Sequence, residues 1–204
     1  MQDEFTTDSE LRDRLSLIET MIAEGRRTTE SWGWTFVLWG VAYYVAMAWS
    51  YFANSNYAWP VTMIAACALM GVLLSRKAQQ RPETTIGRSM MAIWLSLGIS
   101  LFLLLLCLGL SGRFDFHVFV AIIGAVLGMA NATSSLILRW KMQFASAVVW
   151  WAAAAAACFT SDKLTVAAFI IAIFFCQIVF GIYGMIAESR KIKARSARQG
   201  ASHA

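Results

Sequence analysis

Five stretches of this chain carry no Asp, Glu, Lys or Arg: residues 31 to 75, 89 to 112, 116 to 138, 142 to 161 and 164 to 187. A soluble domain has about a quarter of its residues charged and spreads them over its surface. Here the figure is 14%, and the charges are gathered between the stretches. A helix needs roughly 20 apolar residues to cross a hydrocarbon core about 30 Å thick. Four of the windows match one crossing each. The first is too long for one and breaks at Asn54, Ser55 and Asn56, which suit a turn, before Pro60, which suits the opening turn of a helix. Six crossings result. The run 101 to 106 is apolar at every position, which excludes the alternation of a barrel strand. Helices satisfy their own backbone hydrogen bonds in lipid.

The expected fold is therefore all-α. A six-helix transmembrane bundle covers residues 31 to 188, with spans near 32–53, 58–75, 89–111, 116–138, 142–160 and 164–187 arranged as three hairpins. A cytoplasmic amphipathic helix segment (1–30) precedes it and a basic cytoplasmic tail (189–204) completes the chain. The first 30 residues are densely charged, so no cleaved signal peptide is expected and the first span directs insertion.

Orientation is set by the positive charges. With the N-terminus in the cytoplasm, 15 of the 17 Lys and Arg fall inside, and only Arg113 and Lys163 fall outside. Both termini are then cytoplasmic. Trp32, Trp34, Trp140 and Tyr183 fall near the inner interface, and Trp49, Tyr51, Tyr57 and Trp59 near the outer one. Trp150 and Trp151 are exceptions near mid-span. The outer loops are too short for an extracellular domain, and the longest inner connection, about 76 to 88, is too short for a catalytic one. A soluble partner must meet the N-terminal segment, this loop or the tail.

Leu11, Leu15, Ile18, Ile22 and Gly25 recur at spacings of 4, 3, 4 and 3, which places them on one helical stripe. Thr7-Asp8-Ser9-Glu10 reads as a capping box, and the pairs Asp8/Arg12 and Glu10/Arg14 have the acid first at a spacing that supports a helix. A helix from about 8 to 29 is expected. Up to residue 31 the segment carries 4 basic and 8 acidic residues, unlike the Lys/Arg-rich face of a lipid-surface helix. Three readings stay open: packing beneath the bundle near its basic loops, docking a cytosolic partner or a second copy, and ordinary solvated charge.

Leu17-Ile18-Glu19, then Gly25-Arg26-Arg27, Gly33, Leu38-Trp39-Gly40 and Tyr43 together look like a set of uncharacterised bacterial multi-pass membrane proteins with a short charged helix before a Trp-Gly first span. The resemblance covers about residues 10 to 45 and carries no assigned activity. It implies a bacterial inner-membrane setting and a regulatory role.

Ionisable side chains are missing from the depth of the spans, whereas transporters and pumps usually keep some there. His117, at the outer start of span 4, reads as an interfacial imidazole or as a proton relay. Cys67, Cys107, Cys158 and Cys176 lie within spans and lack metal-ligand spacing, so no metal or cofactor is expected. Span 4 carries Gly124 and Gly128 at the spacing that lets another helix approach closely, then Asn131; span 6 carries Gln177. Spans 4 and 6 run in the same direction, so an Asn131–Gln177 hydrogen bond is expected, either as structural glue or as part of a small polar cavity. Gly33 and Gly40, seven apart on one face of span 1, form a second contact stripe.

No nucleophile–base, paired-carboxylate or metal constellation appears, so an enzyme is not expected. Partners are the lipid bilayer, a cytosolic or membrane protein met through the N-terminal helix, and a second copy of the chain, with no nucleic acid. By elimination the chain reads as a membrane-embedded interaction or regulatory protein. The alternative is a small transporter or channel component for a neutral or apolar ligand. The basic tail also suits anionic lipid headgroups, although positive-inside topology alone calls for such a tail.

Overall fold

The computed structural model describes residues 2–53, 57–78, 85–113 and 115–201. The expected turn Asn54-Ser55-Asn56, Arg81 and His203 lie outside the described residues, as do the side chains of Thr7, Asp8, Ser9, Arg26 and Arg27. Every described element is helical: α1 (Gln2–Ser31), α2 (Gly33–Ala53), α3 (Ala58–Ala78), α4 (Thr85–Leu110), α5 (Phe116–Leu138), α6 (Lys141–Phe159), α7 (Asp162–Ile173) and α8 (Phe180–Ala201). A π-helical segment, Phe174–Val179, joins α7 to α8 in one rod. Among the described residues, six helices are long and apolar enough to cross a membrane: Gly33–Ala53, Ala58–Ser75, Ile86–Leu108, Phe116–Leu138, Lys141–Phe159 and Asp162–Arg190.

α1 begins at Gln2, so the residues read as a capping box lie inside the helix rather than at its start. Capping is a short-range signal, and the preceding Asp3-Glu4-Phe5-Thr6 contains no Gly or Pro to stop the helix from extending. Arg14 pairs with Glu10 at 2.6 Å, one turn earlier. The chain turns at Trp32, whose carbonyl accepts from both the Thr35 N–H (2.9 Å) and the Thr35 hydroxyl (2.7 Å), and α2 starts from there. The last span continues as helix through α8 to Ala201.

The most intimate helix pair is α5 with α6, joined by the short Arg139-Trp140 turn, and the pairs expected as hairpins, α2 with α3, α4 with α5 and α6 with α7, also touch. Glycine explains the closeness. A Cβ on Gly124 would lie 2.7 Å from the Trp150 carbonyl oxygen, and one on Gly128 would collide with the Trp151 indole. α2 meets the last span in the same way. A Cβ on Gly33 would lie 2.6 Å from the Gly181 carbonyl oxygen, and one on Gly40 would lie 2.8 Å from the Gln177 Cβ.

Rings fill the rest of the interior in two clusters. Phe119 packs against Trp59 (centroids 4.8 Å apart) and Phe169 (5.9 Å), with Tyr43 also on Phe169. At the other end Phe36 meets Trp94 and Phe180 edge-on, and Phe180 meets Trp140 at 5.1 Å. Trp140 is buried against its neighbours, whereas Tyr51 and Tyr57 are exposed. α3 and α4 are peripheral: α3 packs on α2, and α4 keeps most of its apolar surface outside.

Candidate functional site

The base of α1 is clamped by the bundle. Gly25 is buried, with Ile86 of α4 and Leu138 of α5 so close that any side chain there would meet both. Toward the N-terminus the helix leaves the bundle. Ile22 is half-buried, while Leu11, Leu15, Leu17 and Ile18 are 52%, 59%, 60% and 52% exposed. The stripe Leu11, Leu15, Ile18 therefore stands open on a helix anchored at one end. Packing beneath the bundle holds only for the last turns of α1.

A second feature lies inside the bundle. Buried polar side chains line the facing sides of α5 and α6: Asn131, Ser134 and Ser135 on one, Gln143 and Ser146 on the other. The two helices are antiparallel and register Gly124 against Ala154 and Gly128 against Trp151. Continued toward the Arg139-Trp140 turn, that register brings Asn131 within about a turn of Ser146 and Ser134 within about a turn of Gln143. Cys176 of the π-helical segment reaches the same level, its S–H donating to the Ser146 carbonyl at 3.4 Å. Gln177, the next residue, is buried against Gly40 of α2.

The expected hydrogen bond between Asn131 and Gln177 is absent. The Asn131 amide NH₂ donates to the Leu127 carbonyl of its own helix at 2.8 Å, and the carbonyl oxygens of both Asn131 and Gln177 lack protein partners. Gln177 packs against Gly40 of α2 instead, within the π-helical segment, where the Phe180 N–H reaches back five residues to the Phe175 carbonyl. One extra residue in a turn rotates the helix beyond it by about 100°, which depth arithmetic on an uninterrupted helix does not anticipate. Both amide atoms of Gln143, fully buried, also lack a protein partner, as do the Ser134 hydroxyl and the Trp150 indole N–H. A buried orphan of this kind costs about 1–3 kcal/mol.

No known family, characterised protein or solved structure matches the chain.

Gln143 and Ser146 are additions that sequence reasoning missed. Their signal is the spacing Gln143, Ser146, Trp150, Ala153, Ala157, one face of α6 that the structure buries throughout. A Gln two residues from Lys141 resembles an interfacial residue, and only the tight α5–α6 contact draws it in. Tyr44 is a further addition: its hydroxyl donates to the Ile170 carbonyl at 2.9 Å, just before the π-helical segment begins. Segments of this kind occur frequently at functional sites.

His117 ties the opposite end together. Its Nε2 lies 3.3 Å from the Thr160 carbonyl oxygen and 3.5 Å from Asp162 Oδ1, and Asp115 caps α5 by accepting from the Val118 N–H at 3.0 Å. The half-buried imidazole thus lies against the ends of α5, α6 and α7. Among the described residues, no group of three His, Cys, Asp or Glu could hold a metal ion.

Proposed function

We propose that this chain is an interaction or regulatory protein of a bacterial inner membrane, with both termini cytoplasmic, that presents α1 to an apolar-faced helix of a partner protein. The observation carrying this reading is the exposed stripe Leu11, Leu15 and Ile18 on a helix whose base is fixed at Gly25. A helix free of tertiary contacts is marginal in water, and most helical stability in proteins comes from burying an apolar face. α1 therefore represents half of a packing unit whose other half comes from elsewhere. The charge bias, with 15 of 17 basic residues on the side bearing both termini, supports the cytoplasmic placement. The resemblance over about residues 10 to 45 supports the bacterial setting.

The test replaces Leu11, Leu15 and Ile18 together by Gln. Membrane insertion and thermal stability stay unchanged, because these side chains are exposed, while crosslinked partner recovered from native membranes disappears. Undiminished recovery overturns the proposal. An adduct of twice the chain's mass identifies the partner as a second copy.

The orphaned polar groups of α5, α6 and the π-helical segment favour a second reading, in which the bundle admits a small neutral hydrogen-bonding solute. Gln143, Asn131, Ser134 and Gln177 would supply donors and acceptors without charge. Cys176 reports on it directly. In a chain lacking Cys67, Cys107 and Cys158, reaction of Cys176 with a membrane-impermeant thiol reagent supports this reading, and complete protection opposes it.

A further inference from the structure

Where α8 leaves the bundle, one of its faces forms a groove of about 430 Å³ lined by Ile182, Met185, Ile186, Ser189, Arg190 and Lys193. These residues recur at three- and four-residue spacings, so the groove runs along the helix, with its apolar lining toward the bundle and its cations toward the tail. The Ser189 hydroxyl is turned inward and donates to the Met185 carbonyl at 2.9 Å, which leaves Arg190 and Lys193 as the groove's side-chain donors. Neither cation forms an ion pair with a described carboxylate.

Depth decides what such a groove meets. Gly33, the first residue of α2, lies against Gly181 and Met185, so Met185 marks the level at which the spans begin. At 1.5 Å per residue Arg190 stands about 7–8 Å beyond that level and Lys193 about 12 Å. The headgroup layer on each side of the hydrocarbon is roughly 5–8 Å deep, and long basic side chains bend toward it. Both cations therefore reach phosphate depth, while Ile182 lies at the depth of the upper acyl chain and Met185 and Ile186 at its boundary with the headgroups.

The geometry points to a binding site for an anionic phospholipid in this groove, its phosphate held by Arg190 and Lys193 and its acyl chain laid along Ile182, Met185 and Ile186. The apolar lining discriminates against free phosphate, which would reach the cations and leave that surface uncovered. The inference requires only that the six apolar helices cross the bilayer. It stands or falls independently of what α1 binds.

The test uses the full chain in nanodiscs containing phosphatidylglycerol and phosphatidylcholine, with retained lipid counted by native mass spectrometry after mild extraction. Phosphatidylglycerol is retained in preference. Arg190→Gln and Lys193→Gln each cut that preference about five-fold and together about thirty-fold, with melting temperature unchanged because both side chains are exposed. Met185→Asn weakens retention without touching the charge. Removing Arg195 and Arg198 instead leaves the preference in place. An equal loss from those two substitutions shows a diffuse basic tail and overturns the site. Displacement of the lipid by millimolar inorganic phosphate shows a plain anion site and overturns it as well.

Discussion

Gly181→Ala tests whether α2 and the last span touch backbone to backbone. A Cβ at Gly181 would lie 2.7 Å from the Gly33 carbonyl oxygen, 2.7 Å from Val37 Cγ2 and 3.0 Å from the Val37 N. Two of these three atoms belong to the backbone, so no rotamer change relieves the clash. The helices must part by about 0.7 Å to reach ordinary contact at 3.4 Å. Overpacking of this kind costs about 1–3 kcal/mol, because a gap of 0.5–1 Å forfeits about a quarter to a half of each neighbouring dispersion contact. Alanine recovers up to about 1 kcal/mol in helix propensity, which obscures the effect in a single variant. Gly98→Ala supplies the reference: Gly98 also lies in a span, nothing is within 4 Å of its Cβ position, and it gains the same propensity term. The two variants therefore differ by about 1–3 kcal/mol, or roughly 2–12 °C in melting temperature for a chain of this length. Thermal unfolding in one detergent, monitored by intrinsic tryptophan fluorescence, reads the difference. Equal melting temperatures would refute the close approach of α2 to α8.

The adjacent tryptophans of α6 separate in the same assay. Trp150 is fully buried against Phe169, and Trp150→Ala costs about 3–5 kcal/mol; Trp151 is 41% exposed, and Trp151→Ala costs less than half as much. Gln143→Met raises the melting temperature, because it removes two orphaned polar atoms at similar volume and each orphan costs about 1–3 kcal/mol; a fall would show that the amide has a partner in the working protein. Gly128→Leu drives a side chain into the Trp151 indole and lowers stability more than Gly71→Leu, where the space is open. Thermal unfolding of the purified pair checks that ordering.

The crossings were legible because membrane insertion imposes a rule on the sequence itself: about 20 residues without charge. The contact glycines were legible for a related reason, since the spacing of Gly33 and Gly40, or of Gly124 and Gly128, fixes a shared helix face whatever the partner. What that spacing does not name is the partner helix. Gly33 and Gly40 meet the last span, a long-range pairing, and the α5–α6 contact outweighs the outer connections on which the expected hairpins rested. Asn131 and Gln177 were recognisable as the polar groups of their spans, but Gln177 packs against Gly40 of α2 within a π-helical segment, and six apolar or neutral residues, Phe174 to Val179, do not announce one. Gln143 was hidden by its nearness to Lys141. The stripe of α1 is legible from spacing alone, whereas its division into a clamped base and an open end depends on where Ile86 and Leu138 lie.

A photocrosslinking residue placed one position at a time along α1 in native membranes tests the docking role directly. Positions 15 and 18 lie on the stripe, and positions 13 and 20 lie on the opposite face of the same exposed helix. The account predicts adducts of one defined mass from 15 and 18 and none from 13 and 20. Adducts from all four positions alike, or from none of them, would contradict it.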